Sequence, residues 1–176
     1  MASLELKDIA IILSGLITAV STLSAVFITS RFNLRLAKLN LEAQAKQKEI
    51  ERRFAAIEEL YLLFEKWETN FSHTYLMHLR CYRNKLAYGD VMQLIKGFDL
   101  LVPGDAQKLM MLMHIHFPAL LNEHISVDKA RGKVVVFLRD PKDSKLTAKE
   151  FVEAQEKFEA ACAEFKSKIS ALAQEQ

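Results

Sequence analysis

The sequence predicts an all-α protein: one membrane-spanning helix near the N-terminus, continued as a long helix and ending in a helical bundle. Three observations carry the prediction. No charged residue falls between Asp8 and Arg31, no glycine or proline falls between Leu16 and Tyr88, and from Ile50 onward apolar residues return every third or fourth position. A stretch without breakers favours helix, and the three-and-four spacing gathers apolar side chains on one helix face.

Residues 9–29 (IAIILSGLITAVSTLSAVFIT) match the roughly 20 residues that cross about 30 Å of hydrocarbon as a helix. A cleavable signal peptide fits less well. Its apolar region usually runs only about 7–15 residues behind a basic run, whereas Glu5, Lys7 and Asp8 precede this span. Arg31, Arg35, Lys38, Lys46, Lys48, Arg52 and Arg53 follow it, against Lys7 alone before it. Lys and Arg stay on the cytoplasmic side of a span, so the C-terminal body is expected inside and the short N-terminus outside.

The span carries more than an anchor needs. Hydroxyls on Ser14, Thr18, Ser21, Thr22, Ser24 and Thr29 occupy positions that Leu or Val could fill. At about 100° per residue, Ser14, Gly15, Thr18, Ser21, Thr22, Ala25 and Thr29 share an arc of roughly 120°. Ile12, Leu13, Leu16, Val20, Leu23 and Phe27 take the other side. Small residues let helix backbones approach closely in lipid, and Ser and Thr can bond across the contact. The small face therefore reads as a helix-helix interface or, in a ring of copies, as a pore lining. The competing reading is that these hydroxyls bond to the preceding turn of their own helix, as Ser24 must on the bulky side. Arg31, Arg35 and Lys38 form a basic collar next to the span. It suits the positive-inside rule and anionic headgroups, and in an assembly it becomes a ring of charge that favours anions.

Residues 1–30 are thus expected as the membrane segment, 31–49 as a helical neck and 50–176 as a bundle; 176 residues leave room for one compact domain beside the span. Ile50, Phe54, Ile57, Leu60, Tyr61, Phe64, Trp67 and Phe71 mark the first buried face. Thr69, Asn70 and Ser72 predict a break, Gly89 the stop of a second helix, and Asp90 the cap of a third. The Pro103-Gly104-Asp105 turn leads into a fourth near Ala106, which Pro118 kinks or ends. Residues 134–138 (VVVFL) fit either a short strand or a buried apolar stretch, since so short a run has no readable period. Thr147-Ala148-Lys149-Glu150 is a capping box. It opens a last helix with apolar positions at Phe151, Ala154, Phe158, Ala161, Phe165, Ile169 and Leu172, expected to pack along the helix that begins near residue 50.

Motifs that carry chemistry are missing from the sequence. Twenty-four basic residues against 22 acidic ones leave a net charge of +2, which gives no global case for nucleic acid. Cys81 and Cys162 stand far apart, as in a reducing compartment. Among the histidines, His73, His78, His114, His116 and His124, no pair has the HExxH spacing of a zinc site, and the five glycines form no phosphate loop. His78, Arg80, Arg83 and Lys85 make a local basic patch that reads as a solvated helix face. We therefore expect no enzymatic activity, no cofactor and no metal; the expected partners are the lipid bilayer and further copies of the chain.

In the span at residues 9–29, the unbroken helix beyond it and the small helical body, the chain resembles the small single-pass membrane effectors and accessory proteins of bacterial antiviral systems, including those that accompany CRISPR-associated RNA-guided RNases. The resemblance covers most of the chain but rests on architecture, with no signature motif. It implies a homo-oligomer in the bacterial inner membrane that opens or perturbs that membrane when signalled, with a protein partner in the defence system. Helical bundles of such systems often mark an RNase site by an arginine followed four to six residues later by a histidine. No arginine here has a histidine at that spacing, so a membrane-tethered RNase ranks below a tethered adaptor.

Overall fold

The computed structural model describes residues 6–174. They form five α-helices, α1 (Leu6–Tyr82), α2 (Tyr88–Lys96), α3 (Asp105–His116), α4 (Leu120–Val135) and α5 (Ala148–Ala171), with a single 3-10 turn at Pro141–Asp143. No strand occurs among the described residues. The chain divides into two compact units, residues 1–51 and 52–176.

The first unit is helix throughout its described length, as its lack of breakers dictates. Every residue from Ile9 to Glu49 is exposed. Its N-terminal part reaches a mean hydropathy of 2.2 over 18 residues, none of them buried, and is long and apolar enough to cross a membrane.

The second unit buries an aromatic core. Ile57, Leu60, Phe64, Tyr75 and Leu79 of α1 meet Phe151, Phe158, Phe165 and Ile169 of α5 in one cluster, joined by Leu109, Met113, Leu120, Val127 and Val134. The ring pairs fix the direction of packing: Phe64 lies 4.5 Å from Phe165, Tyr75 5.4 Å from Phe158 and Tyr82 5.4 Å from Phe151. Residue numbers rise on α1 as they fall on α5, so the two helices run antiparallel. Lys166 of α5 ties the same seam to α1, 2.7 Å from Glu68 and 3.9 Å from Glu65. The expected pairing of the last helix with the one entered near residue 50 is present. On α5 the buried line runs Phe151, Gln155, Phe158, Cys162, Phe165 and Ile169. Ala154 and Ala161, expected in it, are only half-buried: the larger aromatics set the face, and it turns slightly toward Gln155 and Cys162.

Three expectations about helix ends are corrected. No break occurs at residues 69–72, because Trp67, Phe71 and Tyr75 continue the packed face of α1 across it. Asn70 caps a distant loop instead, its amide donating to the Asp99 carboxylate at 2.6 Å and its carbonyl accepting from the Leu100 N–H at 2.9 Å. Gly89 is not a stop; it lies inside α2. The stop comes earlier, at Asn84 in the left-handed conformation (φ 55°), where the N–H groups of Lys85 and Asn84 bond back to the carbonyls of Arg80 and Cys81 at 2.8 and 2.9 Å. That is the Schellman pattern, which an asparagine can close in place of glycine. Residues 134–138 are not a strand: Val134 and Phe137 are buried, Val135 and Val136 are exposed, and α4 ends in a turn there. Burial at i and i+3 is helical periodicity, so this run closes a helix.

The capping box is as the sequence reads it: the Thr147 hydroxyl accepts from the Glu150 N–H at 3.2 Å, and the Glu150 carboxylate accepts from the Thr147 N–H at 2.8 Å. In unfolding followed by circular dichroism, Thr147→Ala is expected to destabilise the bundle by about 1 kcal/mol. Phe158→Ala, which empties a fully buried site between Trp67 and Tyr75, is expected to cost about 3–5 kcal/mol. Equal effects of the two substitutions would contradict this placement of the core.

Candidate functional site

The candidate site lies in the first unit, on α1. Ser14, Gly15, Thr18, Ser21, Thr22, Ala25 and Thr29 are all exposed and helical, so their spacing does place them on one face. Part of the polarity is met locally. Ser14, Thr18 and Thr22 donate to the carbonyls of Ile11, Ser14 and Thr18 at 2.9, 2.8 and 2.8 Å. Each hydroxyl thereby uses its hydrogen and keeps lone pairs that can accept. The small side chains also open a shallow groove beside Ala25, Thr29 and Asn33, walled by Val26 and Leu34. These groove residues recur every fourth position, the row into which the ridge of a neighbouring helix seats.

The collar residues Arg31, Arg35 and Lys38 are exposed on the same helix. The Arg31 guanidinium sits 5.6 Å above the Phe27 ring, and Lys38 lies 3.8 Å from Glu42 one turn on. Arg31 thus turns toward the apolar stretch while Lys38 turns away from it.

Sequence reasoning missed how far the stripe extends. Gly15, Thr18, Thr22, Ala25 and Thr29 alternate steps of three and four, and the alternation continues without a slip through Phe32, Leu36, Leu39, Ala43, Lys46, Ile50 and Arg53 to Ile57, Leu60, Phe64, Trp67 and Phe71. The signal was available in the spacing. It was hidden because the residue class changes twice along the line, from small to leucine-rich and then to aromatic. In the second unit this line is the packed face of α1, with Ile57, Leu60 and Phe64 at 6% exposure or less. In the first unit Phe32, Leu36 and Leu39 are 66%, 47% and 55% exposed.

The histidines scatter. His73 stacks on Phe98 at 3.9 Å, His78 is buried beside Tyr88, His114 and His116 are exposed, and His124 is buried against Trp67 and Phe165. Burial removes His78 from the basic patch, leaving Arg80, Arg83 and Lys85 on the surface. Among the described residues no group of three His, Cys, Asp or Glu is placed to hold a metal ion. Burial pushes the Cys162 thiol up to about 12 and the Cys81 thiol upward as well, so both stay protonated and poorly nucleophilic. A compact charged group on α4 joins His124, Asp128 and Arg131. The His124 ring lies 3.4 Å from Asp128, which also accepts from Arg131 at 3.2 Å, and Arg131 lies over the Trp67 and Phe71 rings. It ties α4 to the aromatic run of α1.

No family model, no curated protein and no solved structure matches this chain.

Burial holds His78 and His124 below the ordinary imidazole value of 6.5, in His124 against the attraction of Asp128. The unfolded chain therefore takes up protons that the fold resists, so stability is full above that value and is lost as pH falls below it. Glu150, held low by its bonds to Thr147, adds a similar loss only below the ordinary carboxyl value of 4.5. The melting temperature is expected to fall between pH 7 and pH 5, and to fall less in the double variant His78→Asn, His124→Gln. A melting temperature unchanged over that range would contradict the burial of both rings.

Proposed function

We propose that this chain is a non-enzymatic, single-pass membrane protein that self-associates through α1 and, once assembled, permeabilises the membrane as a pore. In this reading residues 9–29 span the bacterial inner membrane and the bundle is cytoplasmic, as the excess of Lys and Arg after the span favours. The observation that carries the reading is the small, hydroxylated face of α1. An anchor gains nothing from it, since lipid prefers Leu and Val, whereas a helix partner gains close backbone approach and acceptor oxygens. The collar of Arg31, Arg35 and Lys38, which lies on the side of the helix away from the small face, would then meet anionic headgroups around the assembly rather than ring its mouth. Permeabilisation on cue is a defence effector's action, in line with the resemblance in architecture to the membrane proteins of antiviral systems.

A tethered adaptor is the second reading, and one observation favours it: Ser14, Thr18 and Thr22 already bond within their own helix, so they can lie in lipid without a partner. Two variants separate the readings in cells loaded with a membrane-potential dye. Thr18→Leu with Thr22→Leu, which puts two bulky side chains on the small face and removes two acceptors, is expected to lower the leak about tenfold. Two interhelical bonds at about 0.6 kcal/mol each, together with the lost packing, amount to that factor. Replacing residues 9–29 by polyleucine is expected to abolish the leak while leaving the protein at the membrane. An undiminished leak in both variants would make the adaptor the better account.

A further inference from the structure

We infer that the stretch of α1 just beyond the apolar span pairs with the same stretch of a second copy, as a short parallel coiled coil along Phe32, Leu36, Leu39 and Ala43. The inference rests on the proposed membrane self-association and adds to it a second contact outside the bilayer.

These side chains need a cover. Nothing among the described residues provides one, for Phe32, Leu36 and Leu39 are half to two-thirds exposed; Leu34 and Leu41 on the other side are as exposed, so it is the spacing that selects this face. Lipid covers the first of them at most. With the span ending at Thr29, Leu36 lies about 10 Å and Leu39 about 15 Å farther along the helix at 1.5 Å per residue. The headgroup layer adds only about 5–8 Å on each side of the hydrocarbon. Two large apolar side chains on one helix face therefore stand in water unless protein meets them.

The chemistry of the cover follows from the register. The four residues are spaced four, three and four, the a and d positions of a heptad. They lie on the same uninterrupted three-and-four line as Gly15, Thr18, Thr22, Ala25 and Thr29 before them. The line also includes Ile57, Leu60 and Phe64 after them, and there it is buried against helices. A helix that meets its copy through the small face in lipid keeps that copy on the same side for the next turns, because a 3.5-residue repeat follows a supercoiled partner. Copies inserted with one topology run parallel. The hydrocarbon boundary holds equal residue numbers at equal depth, which supplies the register a two-heptad seam lacks by itself. Tethering in the same membrane raises the effective concentration that so short a seam needs. The seam has a defined end: Lys46 takes the next core position, where like charges from neighbouring copies repel, and Arg53 takes the one after Ile50.

Cysteine substitution in the full chain, in native membranes, tests this directly. Cys81 and Cys162 are buried, so an introduced cysteine on α1 is the reactive one. Under copper-phenanthroline oxidation, which takes up the two electrons released as two thiols join, Leu36→Cys and Leu39→Cys are expected to give disulfide-linked dimers. Lys38→Cys, on the opposite face, is expected to give several-fold less. Thr22→Cys reports the membrane contact separately. Linkage at Thr22→Cys with none at Leu36→Cys and Leu39→Cys, or with as much at Lys38→Cys, overturns the coiled coil and leaves membrane self-association standing. No linkage at any position overturns both.

Discussion

A long apolar helix surface left exposed is the constraint on which the rest of this structure depends. From Ile9 to Glu49 every residue of α1 is exposed. Over the first twenty or so of these the surface is too greasy for water, where burial is worth roughly 25 cal/mol for each Å² of apolar area. Two solvents remain for such a surface: lipid and another protein. The bulky side, Ile12, Leu16, Val20, Leu23 and Phe27, suits lipid. The small side, with Gly15, Ala25 and the hydroxyls between them, suits a helix.

The bundle solves the opposite problem. In residues 52–176 the apolar face of α1 is covered by α5 running antiparallel to it, through ring pairs that step down one helix as they step up the other. Several of its polar groups join one helix to another. Lys166 is the example: burial alone would lower its pKa, but Glu68 and Glu65 hold it above the ordinary value, so it stays charged where it joins α5 to α1. His124, Asp128 and Arg131 likewise fasten α4 over Trp67 and Phe71. Both cysteine thiols stay protonated, and the histidines point to separate places.

The sequence made helix class, the apolar span and the capping box readable because each depends on local features: absent breakers, a run of apolar residues, a Thr and a Glu three apart. It misled where a long-range contact outweighs a local preference. Thr69, Asn70 and Ser72 have the side chains of a helix start, yet Trp67 and Tyr75 pack on either side of them and Asn70 serves a loop thirty residues away. Gly89 resembles a stop, but Asn84 supplies the left-handed residue five positions earlier. Val134 to Leu138 was too short to type, and only the burial of Val134 and Phe137 shows its period. The spacing that sets Gly15, Thr18, Thr22, Ala25 and Thr29 on one face of α1 was legible. Its continuation through Phe32, Leu36 and Leu39 was not, because a change of residue type conceals a constant spacing.

The small face and the leucine line beyond it form one coherent surface if several copies stand side by side, and have little in common if the helix stands alone. The mass of the particle released by a mild detergent decides between these states. Sedimentation or mass photometry of the full chain is expected to give a discrete closed assembly several times the 20.1 kDa of one copy. A particle holding a single copy, across detergents and protein concentrations, would contradict the account.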